Sequence, residues 1–185
     1  MQAKGTALKA AREFVRQKYG SEGLDRWLAA LPQKTREIYG KSLLSSAWYP
    51  YTEGLDLPLK GICDLFYQGR LQGAWEEGRF CAGSDLRGIY RAFVKVATPN
   101  MLVRNSALIF GSYFQGATLA VKESAGRRIV THLRTEDQPS RYFDHNVAGW
   151  MESALELCGC KGLAVAIGAA ATDNGTHTEI VMTWD

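Results

Sequence analysis

The C-terminal third of the chain carries the clearest alternation of apolar and polar positions. From Gly116 to Lys122, Ala117, Leu119 and Val121 share one face. Ser124-Ala125-Gly126 then offers a turn. From Arg128 to Arg134, Ile129, Thr131 and Leu133 face one way, while Arg128, Val130, His132 and Arg134 face the other. Ser140 follows Pro139 as a helix N-cap, and Phe143, Val147, Trp150, Met151, Ala154 and Cys158 then recur at helical spacing. Gly159 and Gly162 stop that helix. Leu163–Ala171 is an apolar run, Asp173-Asn174-Gly175 is a hairpin signal, and Thr176–Trp184 alternates again.

The first 115 residues read as helices. Over residues 4–19, Leu8, Ala11, Val15 and Tyr19 share a face, and Gly20 ends the segment. Ser21 caps a second helix carrying Leu24, Trp27, Leu28 and Leu31, closed by Pro32. Thr35–Ala47 reads as a third, and Trp48-Tyr49-Pro50-Tyr51 as an aromatic loop. Asp56 before Leu57-Pro58 predicts an N-cap for a helix bearing Leu59, Ile62, Cys63 and Phe66. Gly69, Gly73, Gly78 and Gly83 follow, and glycines repeated in a helix suggest close backbone approach to another helix or to a second copy of the chain. Ser84 predicts the cap of a helix with Leu86, Ile89, Tyr90 and Phe93. Residues 101–115 predict another, with Leu102, Ile109, Phe110 and Tyr113 as its stripe. The order predicts an α+β fold: N-terminal helices, then a strand-strand-helix-strand-strand unit forming a four-stranded antiparallel sheet covered on one face. The expectation is one domain over residues 1–185, helical through 115 and built on the sheet from 116.

Composition removes several function classes. At 185 residues, 46% hydrophobic and 22% charged, the chain is an ordinary globular sequence. Its net charge of +3, with basic and acidic residues interleaved, gives no argument for nucleic acid. No apolar run reaches the length of a membrane span. The start MQAKGTALKAAREF lacks a signal-like apolar core, so the expected location is cytoplasmic. There is no G-x-S-x-G, H-E-x-x-H or phosphate-binding glycine loop. Glu76 and Glu77 are adjacent, so on a helix they diverge instead of forming a carboxylate pair. Asp144 suits the N-terminal turn of its helix electrostatically. The chain is therefore not expected to be an enzyme.

Several strings resemble one superfamily, that of haem-nitric-oxide-binding (H-NOX) domains, 4-vinyl-reductase domains and TRAPP vesicle-tethering subunits. Lys4-Gly5-Thr6 … Glu13-Phe14-Val15 … Tyr19-Gly20 resembles the first H-NOX helix. Ala74-Trp75-Glu76-Glu77-Gly78-Arg79 resembles a helix shared across the group. Trp150-Met151-Glu152 … Cys158-Gly159-Cys160-Lys161-Gly162, with Val181-Met182-Thr183-Trp184, resembles the closing helix and hairpin of 4-vinyl-reductase-type domains. The resemblance implies haem bound through a histidine on the helix before the sheet, and a Tyr-x-Ser-x-Arg string for its propionates. Residues 101–115 contain no histidine, and no such string occurs. The expectation is therefore a member without cofactor, with haem disfavoured and only a tyrosine or cysteine ligand left open. Zinc on Cys158 and Cys160 is the alternative, although the pair supplies two of four ligands and His145 is about 20 Å away along the helix.

Two classes follow. One is a sensor-like module holding a small apolar ligand, with a signalling partner protein. Its pocket would lie between residues 101–115, the segment 57–69 and the sheet, lined by Phe66, Tyr90, Phe110, Tyr113, Phe114 and Trp150, with Arg104 or Arg141 at the rim. Its sheet floor would carry the small residues Ala117, Ala164, Ala166 and Gly168. The other is a TRAPP-like structural protein with a filled core. A homodimer through the glycine-bearing helices is expected in either case.

Overall fold

The computed structural model describes residues 1–87 and 99–185, with backbone alone at 85–87, 100, 103 and 104. Its elements are β1 (Gln2–Lys4), α1 (Gly5–Ala30), α2 (Gln33–Tyr39), β2 (Trp48–Pro50), α3 (Leu57–Tyr67), α4 (Gln72–Arg87), α5 (Pro99–Tyr113), β3 (Phe114–Gln115), β4 (Ala117–Ala125), β5 (Arg128–Thr135), α6 (Arg141–Leu157), β6 (Ala164–Ile167) and β7 (Thr178–Thr183). The α+β class and the four-stranded antiparallel sheet are as expected from the pattern, with strand order β4-β5-β7-β6. Ile129, Leu133, Ile180 and Met182 point from that sheet into the core, where Phe143, Val147, Met151 and Ala154 of α6 cover them.

Several elements depart from the expectation. The first two predicted helices follow each other without a connecting loop as α1, and Gly20 breaks the helical path with φ 71 and ψ −171. A side chain there would be strained, so glycine allows the chain to turn and resume. The third helix stops at Tyr39, and the aromatic segment is a strand, β2, which pairs with β1. With β3 these make a small second sheet, β2-β1-β3, that ties the N-terminus to the end of α5. Period-2 alternation cannot show over two or three residues, so this sheet had no signal. Asp56 is already helical and caps nothing. Its carboxylate instead accepts hydrogen bonds from Tyr51 Oη at 3.1 Å and from Ser140 Oγ. Ser140 is the cap foreseen for α6, accepting from Phe143 N at 3.5 Å. Ser84 lies inside α4. The helix expected after it, with Ile89, Tyr90 and Phe93, lies outside the described residues, as does the Arg104 side chain.

The Asp173-Asn174-Gly175 signal does not close a tight hairpin. A 3-10 turn spans Ala171–Asp173, Asn174 takes a left-handed conformation at φ 66, and a longer loop joins β6 to β7. In β6, Val165 and Ile167 pair with Met182 and Ile180 on the inner face, which turns Ala164 and Ala166 outward. The expected floor of small residues is therefore built of larger ones. A continuous apolar run has no period by which to choose its face.

Gly73, Gly78 and Gly149 have partners inside the chain, whereas among the described residues nothing lies within 4 Å of a Cβ on Gly69 or Gly83. A Cβ on Gly78 would fall 2.8 Å from the carbonyl carbon of Asn146 and 3.0 Å from Trp150 N, and one on Gly149 would fall 2.8 Å from the carbonyl carbon of Trp75. Helices α4 and α6 therefore cross with their backbones nearly touching. Gly73 meets Cys63 of α3 in the same way, and Gly69 ends α3 at φ +78. Gly73 and Gly78 are thus taken up by packing within the chain.

Candidate ligand-binding site

The α4–α6 crossing sets the walls of an internal slot. Along α4, Ala74, Glu77, Gly78, Cys81 and Ala82 form one buried stripe. Asn146, Val147 and Trp150 of α6 stand opposite. Ser106, Ile109, Phe110 and Tyr113 of α5, followed by Phe114, make the third wall. Ala7, Leu55 and Leu119 close the space, whose open volume is about 40 Å³. Phe110 lies 4.9 Å from Phe114 and 6.2 Å from Phe143, ring centre to ring centre, so aromatic rings line much of one side.

Four of the six expected residues, Phe110, Tyr113, Phe114 and Trp150, meet at this slot. Phe66 does not: its ring stacks on Tyr19 at 3.8 Å. Tyr90 lies outside the described residues. The wall expected from the segment 57–69 is supplied by α4 instead. Arg141 is at the surface, paired with Asp173 at 2.8 Å.

Of the polar members Tyr113 was expected, whereas Glu77, Asn146 and Cys81 were not. Glu77 is 1% exposed and faces the slot, while Glu76, which diverges from it on the helix, stays partly exposed. Its place on the Ala74, Gly78, Cys81 stripe was the signal: an acid at a core position of a helix. Asn146 Nδ2 donates to the Glu77 carboxylate and to Ala74 O at 3.3 Å, fixing the α6 side to α4. Cys81, 7% exposed, presents a reduced thiol to the slot, and Tyr113 a phenol.

Two further groups flank α6. Asp144 is 4% exposed, and burial, outweighing the hydrogen bond from Thr178 Oγ1 at 2.9 Å, pushes its carboxyl up to about 6. Burial also raises the Cys158 thiol to about 11, with Cys160 adding to the rise. Cys158 and Cys160 together would supply two of the four ligands zinc takes. Among the described residues no group of three or more His, Cys, Asp or Glu side chains could hold a metal ion. Nor, among them, is any helix long and apolar enough to cross a membrane.

No protein-family model matches the chain, and no curated protein does. Solved structures match over nearly its full length. A variant H-NOX protein from K. algicida in the unliganded Fe(II) state has a TM-score of 0.75 at 15% identity, covering 98% of this chain and 96% of its own. The H-NOX protein of S. oneidensis in the Fe(II)NO state gives 0.75 at 12%, covering 98% and 99%. A third, from work on haem redox potential and porphyrin distortion, gives 0.70 at 13%, covering 98% and 99%. The chain thus has the H-NOX fold. The expectation that no cofactor is involved does not stand beside these neighbours, which are iron and haem proteins. Its weakness is physical: the axial bond is one interaction among many, thiolate and phenolate also ligate haem iron, and burial of a porphyrin draws largely on apolar contact.

Proposed function

We propose that this chain is a sensor-type ligand-binding domain that takes haem into the slot between α4, α5 and α6, and through the iron binds a small gas. The observation that carries the reading is the slot itself: an apolar, ring-lined space holding a thiol and a phenol, within a fold shared end to end with H-NOX proteins. The donor set fits the group. Cys81 or Tyr113 would hold the iron in place of the missing histidine, Ile109, Phe110, Val147 and Trp150 would meet the macrocycle's faces, and the haem would supply a coordination site for a diatomic ligand.

The present volume of about 40 Å³ admits a diatomic molecule but not a porphyrin. Loading therefore requires α5 to part from α4 and α6. The fold supports this, because α5 lies mainly against β4 and touches α6 lightly, while Leu108 on its far face is 76% exposed. The test is a titration of the purified chain with haemin. The expected result is a sharp Soret band saturating at one haem per chain, with its position changed by Cys81→Ser or by Tyr113→Phe, whichever supplies the ligand. No saturable uptake, or spectra unaltered in both variants, overturns the reading.

A further inference from the structure

Charge is distributed unevenly along this chain. Residues 1–50 hold nine Lys and Arg against four Asp and Glu, while the remaining 135 hold thirteen against fifteen. The N-terminal excess gathers on one side of the fold, where α1 meets α2 and the loop 40–46. Two adjoining clefts of about 490 Å³ each lie there, and both include Arg12 and Ser42. Lys9 and Arg12 rise from α1, Arg36 from α2 and Lys41 from the loop. Among the described residues none of these four cations has a carboxylate partner. Lys9 bonds Ser45 Oγ at 2.9 Å, Arg12 donates weakly to Tyr39 O at 3.5 Å, and Arg36 donates to Ala29 O at 3.3 Å. The acid in the groove, Glu13, is already held by Arg16 and Gln17.

We propose that this groove docks an acidic, partly apolar segment of a partner protein. The cations are strung along the groove, Lys9 in one cleft, Arg36 and Lys41 in the other and Arg12 in both, on three different elements. Spread charge suits side-chain carboxylates spaced along a polypeptide better than one phosphate. Between the cations the floor is apolar: Leu43 and Phe80 in one cleft, Leu28 and Tyr39 in the other. A peptide fills such a floor with side chains, whereas a nucleic-acid backbone leaves it empty. Interaction of this type steers association and weakens with salt. Its four cations lie on α1, α2 and the loop 40–46 and not on the slot's principal walls, so their role stands or falls independently of haem.

The test uses a fluorescein-labelled twelve-residue peptide of Glu and Asp with leucine at every third position, followed by anisotropy on the full chain at low and physiological salt. Binding is expected to weaken with salt. Arg12→Glu with Lys41→Glu should weaken it about tenfold or more, and Lys60→Glu with Lys161→Glu, an equal charge change elsewhere, less than about twofold. Because Arg12 is half-buried, the exposed pair Lys9→Gln and Lys41→Gln serves as a second variant, expected to weaken binding severalfold. Three results overturn the proposal: no binding of the wild type at low salt, equal loss in the remote control, or tighter binding of inorganic tripolyphosphate or duplex DNA than of the peptide.

Discussion

Gly78→Ala is the sharpest probe of the helix crossing on which the slot depends. In a free helix, alanine for glycine gains about 1 kcal/mol. Here the added Cβ would fall 2.8 Å from the Asn146 carbonyl carbon and 3.0 Å from Trp150 N, closer still to the Asn146 carbonyl oxygen. These are backbone atoms and cannot rotate away, so α4 and α6 must separate by the order of 1 Å. Overpacking of this kind costs about 1–3 kcal/mol and occasionally more. Because backbone meets backbone, the upper part of that range applies, leaving a net loss of about 2 kcal/mol after the propensity gain. In a chain of this size that lowers Tm by about 4–8 °C. Gly83→Ala, five residues along the same helix, is the control. Among the described residues nothing lies within 4 Å of its added Cβ. It should therefore stabilise by about 0.5–1 kcal/mol. Urea unfolding of both variants measures the difference. If Gly78→Ala equals or exceeds the wild type in stability, the close crossing and the slot geometry built on it are refuted.

Three other outcomes are expected. Asp144→Asn should leave stability nearly unchanged at pH 4 and raise it by up to about 3 kcal/mol at pH 7. The sign follows from the carboxyl's rise to about 6: the native protein keeps its stability below the ordinary carboxylate range and loses it as pH climbs through 6, a loss the amide avoids. Parallel pH curves for wild type and variant contradict this. Ser140→Ala removes both the cap on α6 and the hydrogen bond to Asp56, and should cost about 1–2 kcal/mol by chemical unfolding, with a loss under about 0.3 kcal/mol counting against the cap. Phe110→Ala should destabilise the haem-free chain by about 3 kcal/mol, since the ring is 8% exposed and packed on Phe114, yet retain haem uptake; a cost under about 1 kcal/mol means the ring is not part of the packed wall.

The parts of the molecule legible in the sequence are those with a long period. The alternation of Ile129, Thr131 and Leu133 and the 3.6-residue stripe of α6 each extend over several turns or pairs, so the main sheet and its covering helix follow directly. The β1–β2–β3 sheet did not, because its strands are two or three residues long. Phe110, Tyr113, Phe114 and Trp150 were recognisable as aromatics near one junction, and the structure gathers them. Glu77 was hidden by its neighbour Glu76, since only the register of α4 against α6 shows which of the two faces inward. Gly78 was visible as a close-approach residue, but its partner, the α6 backbone around Asn146 and Gly149, is a tertiary fact. The missing histidine weighed against haem in the sequence because a sequence shows a ligand's absence without showing the slot or the donors beside it.

The central claim, that the slot receives haem, is tested most directly by ¹⁵N amide spectra of the chain with one equivalent of haemin. The account predicts paramagnetic broadening centred on residues 77–81, 106–114 and 146–150, with the α2 region and the outer face of the main sheet spared. Broadening centred on the stacked pair His132 and His177 of that outer face, whose rings lie 3.7 Å apart, would mean adventitious surface ligation and contradict it.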